Sequence, residues 1–303
     1  MLFAIAIMRT QSARWGAVFL LALGLLLGLT SIANADAPDE WVEFGANPIF
    51  GQGHGGPKAY YPSVVYDPAS FSDHGDAYPF KMWFGTSGSR TGYAVSDDGV
   101  HWITRTVPIT EIVGYHPRVL YDPNGFGNPA GPYYKMWYWA VPITNPFTPD
   151  DIYYAYSWDG ITWTNYVSNP VITEANLSGY SEVYDAMIIY NPDGQPAPYQ
   201  AWCDNNGKIY YITSTNGVDW STNSTPVLTA DDPTGTLSRV SVWRDADGTY
   251  HMWYGENPSG GGGNKRINHA TSPDGVNWTK DPANPIFSVD DGIPWRDSRT
   301  YTP

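Results

Sequence analysis

The chain has 303 residues, with 30 acidic against 16 basic side chains and a formal net charge of −14. That balance argues against nucleic acid or an anionic membrane surface as a partner, because phosphate binding needs a basic face. A lone cysteine, Cys203, leaves no intramolecular disulfide, so the fold holds together without one and Cys203 reads as a small buried hydrophobe rather than a reactive thiol.

In chain order, Arg9 and Arg14 precede an apolar run from Ala17 to Leu29 and then Ala33-Asn34-Ala35, the pattern of a secretory signal peptide cleaved after Ala35. A membrane anchor is the alternative, but a run of 13 residues falls short of the ~20 that span a bilayer. Residues 1–35 are therefore expected to be a leader and 36–303 the mature domain, exported to the extracellular space or periplasm with no membrane span. The leader's charges are both basic, so the mature chain keeps 14 basic side chains against 30 acidic ones.

Self-similarity organises the remainder. The pattern Ser-x-Asp/Asn-Gly-x-x-Trp occurs at 96–102, 157–163, 214–220 and 272–278, with Trp-to-Trp spacings of 61, 57 and 58 residues. Each Asp-Gly or Asn-Gly follows a strand-like run (GYAVS, YYAYS, YYITS, NHATS), which predicts a tight hairpin. About twenty residues upstream of each hairpin lies KMWFG, KMWYW, QAWCD or HMWYG, and before that PSVVYD from Pro62, PRVLYD from Pro117, AMIIYN from Ala186 or RVSVWR from Arg239. Four short strands per repeat predict the blades of a β-propeller at about 60–108, 115–172, 184–228 and 237–287. Helical periodicity is absent from the mature chain, so the fold class is all-β.

The ends suggest a fifth blade. Trp163 and Trp278 are followed at +6 and +7 by Asn-Pro, and Trp41 to Asn47-Pro48 repeats that offset with no hairpin before it. Residues 41–50 thus read as the outer strand of a last blade whose inner strands come from the C-terminus. Only residues 295–303 are available for them, with Pro303 matching Pro62 and Pro117. The expectation is a five-bladed ring with blade five incomplete; a four-bladed ring with a stray strand is the alternative.

These KMWY-type second strands and SPDGVNW-type hairpins resemble the five-bladed propeller superfamily of arabinanases, xylosidases, invertases, levansucrases and mannoside phosphorylases, along the whole mature chain. The hairpin is less similar to the sialidase Asp-box, which has one more residue between its Asp and Gly. What the resemblance implies is a glycoside hydrolase or glycoside phosphorylase acting on a glycan; a non-catalytic carbohydrate-binding or scaffold propeller is the alternative. It also implies an active site at the axial mouth, with a carboxylate on each of the first three blades. Glycoside cleavage needs one carboxyl to protonate the leaving oxygen and another to activate water or attack.

Carried onto this chain, blade one offers Lys58, Tyr60 and Tyr61 where an aspartate is expected. Blade two offers His116 and Arg118, and blade three Glu182 and Asp185, either of which would be the acid. Blade four offers Arg239, and the start of blade five Arg296, Asp297 and Arg299. The cations Lys58, Arg118, Arg239, Arg296 and Arg299 suit an anionic glycan or phosphate, because guanidinium groups grip oxyanions bidentately. The plainer reading is that each pairs with a neighbouring carboxylate such as Asp185. The hairpin Asx residues and the tryptophans of both strand types are expected to be structural. No metal-ligand spacing, nucleotide fingerprint or nucleophile elbow is present in the sequence, and no cofactor is expected.

Overall fold

A computed structural model of the chain describes residues 45, 49–51, 58–140, 151–177, 183–260 and 265–289. The leader over 1–35, most of the expected outer strand at 41–50, and the segment 295–303 lie outside these residues.

Sixteen strands form four antiparallel sheets, each in simple meander order, with a seventeenth short strand on the last. Blade one holds β1 (Tyr60–Tyr66), β2 (Phe80–Thr86), β3 (Arg90–Ser96) and β4 (Trp102–Thr106). Blade two holds β5 (Tyr115–Tyr121), β6 (Tyr134–Ala140), β7 (Asp151–Ser157) and β8 (Thr164–Asn165). Blade three holds β9 (Asp185–Tyr190), β10 (Tyr199–Asn205), β11 (Lys208–Ser214) and β12 (Pro226–Leu228). Blade four holds β13 (Thr236–Arg244), β14 (Tyr250–Asn257), β15 (Arg266–Ser272) and β16 (Thr279–Lys280), with β17 (Phe287–Ser288) also pairing β15. First strands of successive blades pack side by side, β1 on β5, β5 on β9 and β9 on β13, so they line the axis. This is an all-β propeller with four blades of four strands among the described residues; the fifth blade is not among them.

The repeated hairpin satisfies its own polar groups. In blade two, Ser157 Oγ accepts from the amides of Asp159 and Gly160 and donates to Asp159 Oδ1, which accepts from the amides of Ile161 and Thr162. The other three copies repeat this arrangement around Asp98, Asn216 and Asp274. That closed set is why the motif survives as a unit: removing the Asx oxygen would strand two amides. The asparagine six residues past the Trp plays a similar part, since Asn169 bonds both backbone groups of Tyr154, and Asn284 those of His269.

Blades are joined by the tryptophans of the second strands. Trp83, Trp137 and Trp202 are buried and donate to the carbonyls of Gly160, Gly217 and Gly275 in the next blade's hairpin. Each also meets that hairpin's own Trp edge-on. A second tie lies beside the first: Lys81, Lys135 and Gln200 reach the hydroxyls of Tyr134, Tyr199 and Tyr250 across the same junctions. The bland assignment of these residues and of buried Cys203 to structure therefore has a specific physical content.

Register shows which blade faces go uncovered. Val64, Val119, Ile188 and Val242 occupy one equivalent position, and the last three are buried to 5%, 1% and 3% exposure, whereas Val64 is 43% exposed. Trp243, equivalent to the partly buried Val65, Leu120 and Ile189, is 50% exposed. The leading face of blade one and the trailing face of blade four are the ones left open to solvent at these positions.

Candidate axial site

The cross-strand partners of Trp83, Trp137, Trp202 and Trp253 are Ser63, Arg118, Met187 and Ser241. Two residues before these lie Tyr61, His116, Asp185 and Arg239, one from the start of each inner strand. This corrects the sequence alignment on blade four. Val240, not Arg239, takes the place of Pro62 and Pro117, because Ser241 pairs with Trp253 as Ser63 does with Trp83 and Arg118 with Trp137; the register shift between Ser238 and Val240 marks a bulge just before it. Matching bulges occur in β1 and β5, and Tyr61, His116 and Arg239 all take positive φ, at 50°, 58° and 58°. Asp185 lies in regular pairing with Asp204 instead. Non-glycine residues held in this region carry backbone strain that surrounding contacts must offset, and such strain gathers at functional sites.

These side chains meet. Arg118 Nη2 donates to Asp185 Oδ2 at 3.0 Å and to the Val240 carbonyl at 3.3 Å, tying blade two to blades three and four. The Arg239 guanidinium lies 5.0 Å from the Tyr61 ring centre and 3.0 Å from His116 Nδ1. That nitrogen also lies 3.1 Å from the Tyr184 carbonyl. It cannot accept from a guanidinium and donate to a carbonyl at once. Burial, followed by the charges of Arg239 and Arg118, holds His116 well below the usual imidazole range, so the ring is neutral and its lone pair suits the Arg239 donor. Tyr61 packs 3.5 Å from His116 between ring centres, and Trp139 stacks on His116 at 5.7 Å, so the three rings form an aromatic wall.

Asp204, the last residue but one of β10, joins the cluster. Its Oδ1 accepts the amide of Asp185 and its Oδ2 the amide of Arg239, so one carboxylate holds two inner strands in place. Burial pushes its pKa up to about 6, with the Arg239 charge opposing and the Asp185 charge adding. Three atoms of the cluster are buried without a hydrogen-bond partner: Asp185 Oδ1, Arg118 Nε and Trp139 Nε1. Unpartnered buried polar atoms carry a desolvation cost, which a sugar hydroxyl or a bound water would relieve.

No protein-family model matches the sequence. Solved structures do resemble the fold. A thermostable family-43 glycoside hydrolase superposes with a TM-score of 0.56 at 16% identity, covering 76% of this chain and 74% of that one. The β-fructofuranosidase from Schwanniomyces occidentalis gives 0.55 at 17%, over 77% of this chain and 47% of that one. A structure described as showing that the GH130 family of mannoside phosphorylases contains glycoside hydrolases targeting β-1,2 mannosidic linkages in Candida mannan gives 0.53 at 16%, over 77% and 72%. The chain has the propeller fold of these enzymes.

Of the expected site residues, Tyr61, His116, Arg118, Asp185 and Arg239 are brought together, and Tyr60 lies half-buried beside Tyr61. Lys58 is exposed before β1. Glu182, Arg296, Asp297 and Arg299 lie outside the described residues. Arg118 takes the paired reading, on Asp185. Asp204 and Trp139 join the cluster without a sequence expectation, because both lie on second strands, whose residues read as scaffold. A signal was there: the position two past the second-strand Trp is Gly85 or Gly255 in blades one and four but Trp139 and Asp204 in blades two and three. Among the described residues no cluster of three or more His, Cys, Asp or Glu is arranged to hold a metal. A cavity of about 260 Å³ lined by Phe126, Lys135, Tyr190 and Tyr199 lies at the opposite end of blades two and three and takes no part in this cluster.

Proposed function

We propose that the protein is an exported carbohydrate-active enzyme, a glycoside hydrolase or glycoside phosphorylase, working at the axial mouth with Asp185 as its central carboxylate and Glu182 as the second. The observation that carries this is the convergence of Tyr61, His116, Asp185 and Arg239 from four inner strands, with Asp185 Oδ1 buried and unpartnered. An aromatic wall beside a carboxylate suits a sugar ring, whose axial C–H face stacks while its hydroxyls take hydrogen bonds. Arg239, with Lys58, Asp297 and Arg299, is assigned to holding the substrate or a phosphate. The fifth blade expected from 41–50 and 295–303 is part of this reading, supported by the half-exposed Val64 and Trp243 on the two open faces.

A second reading rests on one observation. Asp185 is engaged by Arg118 and Asp204 by two amides, so neither described axial carboxylate is left wholly to a substrate. That favours a propeller that binds sugar without cleaving it. A panel of aryl glycosides and oligosaccharides, assayed with and without phosphate, separates the two. Turnover lost in Asp185→Asn and in Glu182→Gln supports the enzyme. Full activity in both variants overturns the assignment, and saturable sugar binding without turnover in the wild type favours the binding reading.

A further inference from the structure

We propose that His251 and His269 of blade four share a single proton, forming a buried Asp245–His251–His269–Asp281 chain that clamps the blade from its first turn to its outer strand only while that one proton is held. In the other blades the equivalent pairs are Lys81 with Tyr93, Lys135 with Tyr154, and Gln200 with Tyr211, so blade four departs from the repeat at both positions. His251 Nε2 lies 3.2 Å from Asp245 Oδ2, and His269 Nδ1 lies 3.1 Å from Asp281 Oδ2. Between the rings, His251 Nδ1 faces His269 Nε2 at 3.1 Å. Both imidazoles are buried, at 5% and 4% exposure, and Trp253 packs on both.

The protons can be counted. Each outer nitrogen faces a carboxylate and must carry a hydrogen; the inner pair makes a hydrogen bond only if one of its two nitrogens does. That is three protons on four nitrogens, one positive charge for two rings. Two neutral rings set lone pair against lone pair, or turn a lone pair on a carboxylate. Two charged rings set N–H against N–H. A carboxylate behind each histidine is also how metal-ligating imidazoles are held. Here, however, the ring centres are 5.3 Å apart and the planes 16° from parallel, so the 3.1 Å gap plus two ring radii spans the whole distance. The two nitrogens thus point head-on at one another, as a hydrogen bond requires, whereas tetrahedral metal ligands converge at an angle on a third point.

The described charged groups facing the pair are Asp245 and Asp247 from the β13–β14 turn and Asp281 beyond β16. Burial lowers the His269 pKa from 6.5, its contacts with Asp281 opposing and the charge of His251 adding. A group whose folded pKa is depressed in this way loses stability as pH falls below its unfolded value, because the unfolded chain binds the proton more readily. On the alkaline side, loss of the shared proton opens the inner contact.

Two measurements on the full chain test this. Imidazole nitrogen NMR of the wild type should give three protonated sites on the two rings, with the facing nitrogens intermediate between protonated and bare; two bare facing nitrogens throughout the folded pH range overturn the proposal. Melting curves across pH should show the wild type exceeding His269→Gln and Asp281→Asn by several degrees at the pH where the difference is largest, a difference of 1 kcal/mol being about 2–4 °C. The gap should shrink on both sides. An offset independent of pH, or a rise in melting temperature on adding zinc that His269→Gln abolishes, overturns it as well.

Discussion

Asp204 carries its carboxylate where two inner strands begin, and both of its oxygens are occupied by backbone amides. Replacing it with asparagine keeps one acceptor and turns an NH2 toward the other amide, which should cost about 1–3 kcal/mol and loosen both Asp185 and Arg239. Its raised pKa gives a pH signature. Folded protein holds this proton more tightly than unfolded chain, so the contribution is full below the unfolded value of 3.8 and is lost as pH rises through about 6. Chemical denaturation from pH 4 to 7 should show that decline in the wild type and a flatter profile in Asp204→Asn. Equal slopes would mean that the carboxyl is ionised throughout. At this scale the sequence was only half legible. Asp185, His116 and Arg118 could be found beside the strand-start prolines and Ala186, but Asp204 contributes through tertiary burial. An aspartate after Trp202 and Cys203 looks like a strand end until the neighbouring inner strand is known.

At the scale of the strand and hairpin, Gly217 has φ +85° and a hypothetical Cβ there lies 2.9 Å from Trp137 Cζ2, whereas Gly88 has φ +77° with nothing within 4 Å. Both alanine variants pay the left-handed backbone cost of roughly 1–2 kcal/mol. Gly217→Ala should lose about 1–3 kcal/mol more, because the blade junction is overpacked. Urea denaturation of both variants gives that difference; equal losses would show that the junction yields. Trp137→Phe removes the 2.8 Å bond to the Gly217 carbonyl, which keeps Trp220 Nε1 as a second donor, and should cost about 1–3 kcal/mol. The hairpins were legible because Asx-Gly turn chemistry is local. The register of β13 was not, because RVSVWR and VSVWRD read equally well as a strand and only the pairing of Ser241 with Trp253 decides between them.

For the molecule as a whole, the repeat period predicted the meander blades, and the order of inner strands around the axis followed from it. What period alone could not tell is how well each blade face is covered. Val119→Asp buries an unpaired carboxyl and should cost several kcal/mol; Val64→Asp at the same position of blade one should cost as much if a fifth blade covers that face, and at most about 0.5 kcal/mol, as surface substitutions do, if the face stands in water. Thermal melts of the two variants make the comparison. Comparable losses would mean that Val64 is covered in the protein as it exists.

The indole-to-glycine bond between blades has a direction. Among the described residues blades one to three offer a donor forward and blades two to four an acceptor backward, so blades two and three are held on both sides, by Trp83 and Trp137 and by Trp137 and Trp202 in turn. Such a series behaves as a row of nearest-neighbour couplings rather than as one indivisible core, and opening should begin where a unit has the fewest neighbours. In an open row amide hydrogen exchange should follow position, slowest for β6 and β10 in the middle and faster for β2 at the leading end, whereas a ring closed by the proposed fifth blade should protect β2 as well. Equal protection of all three strands would mean that the ring is closed or that the blades open together.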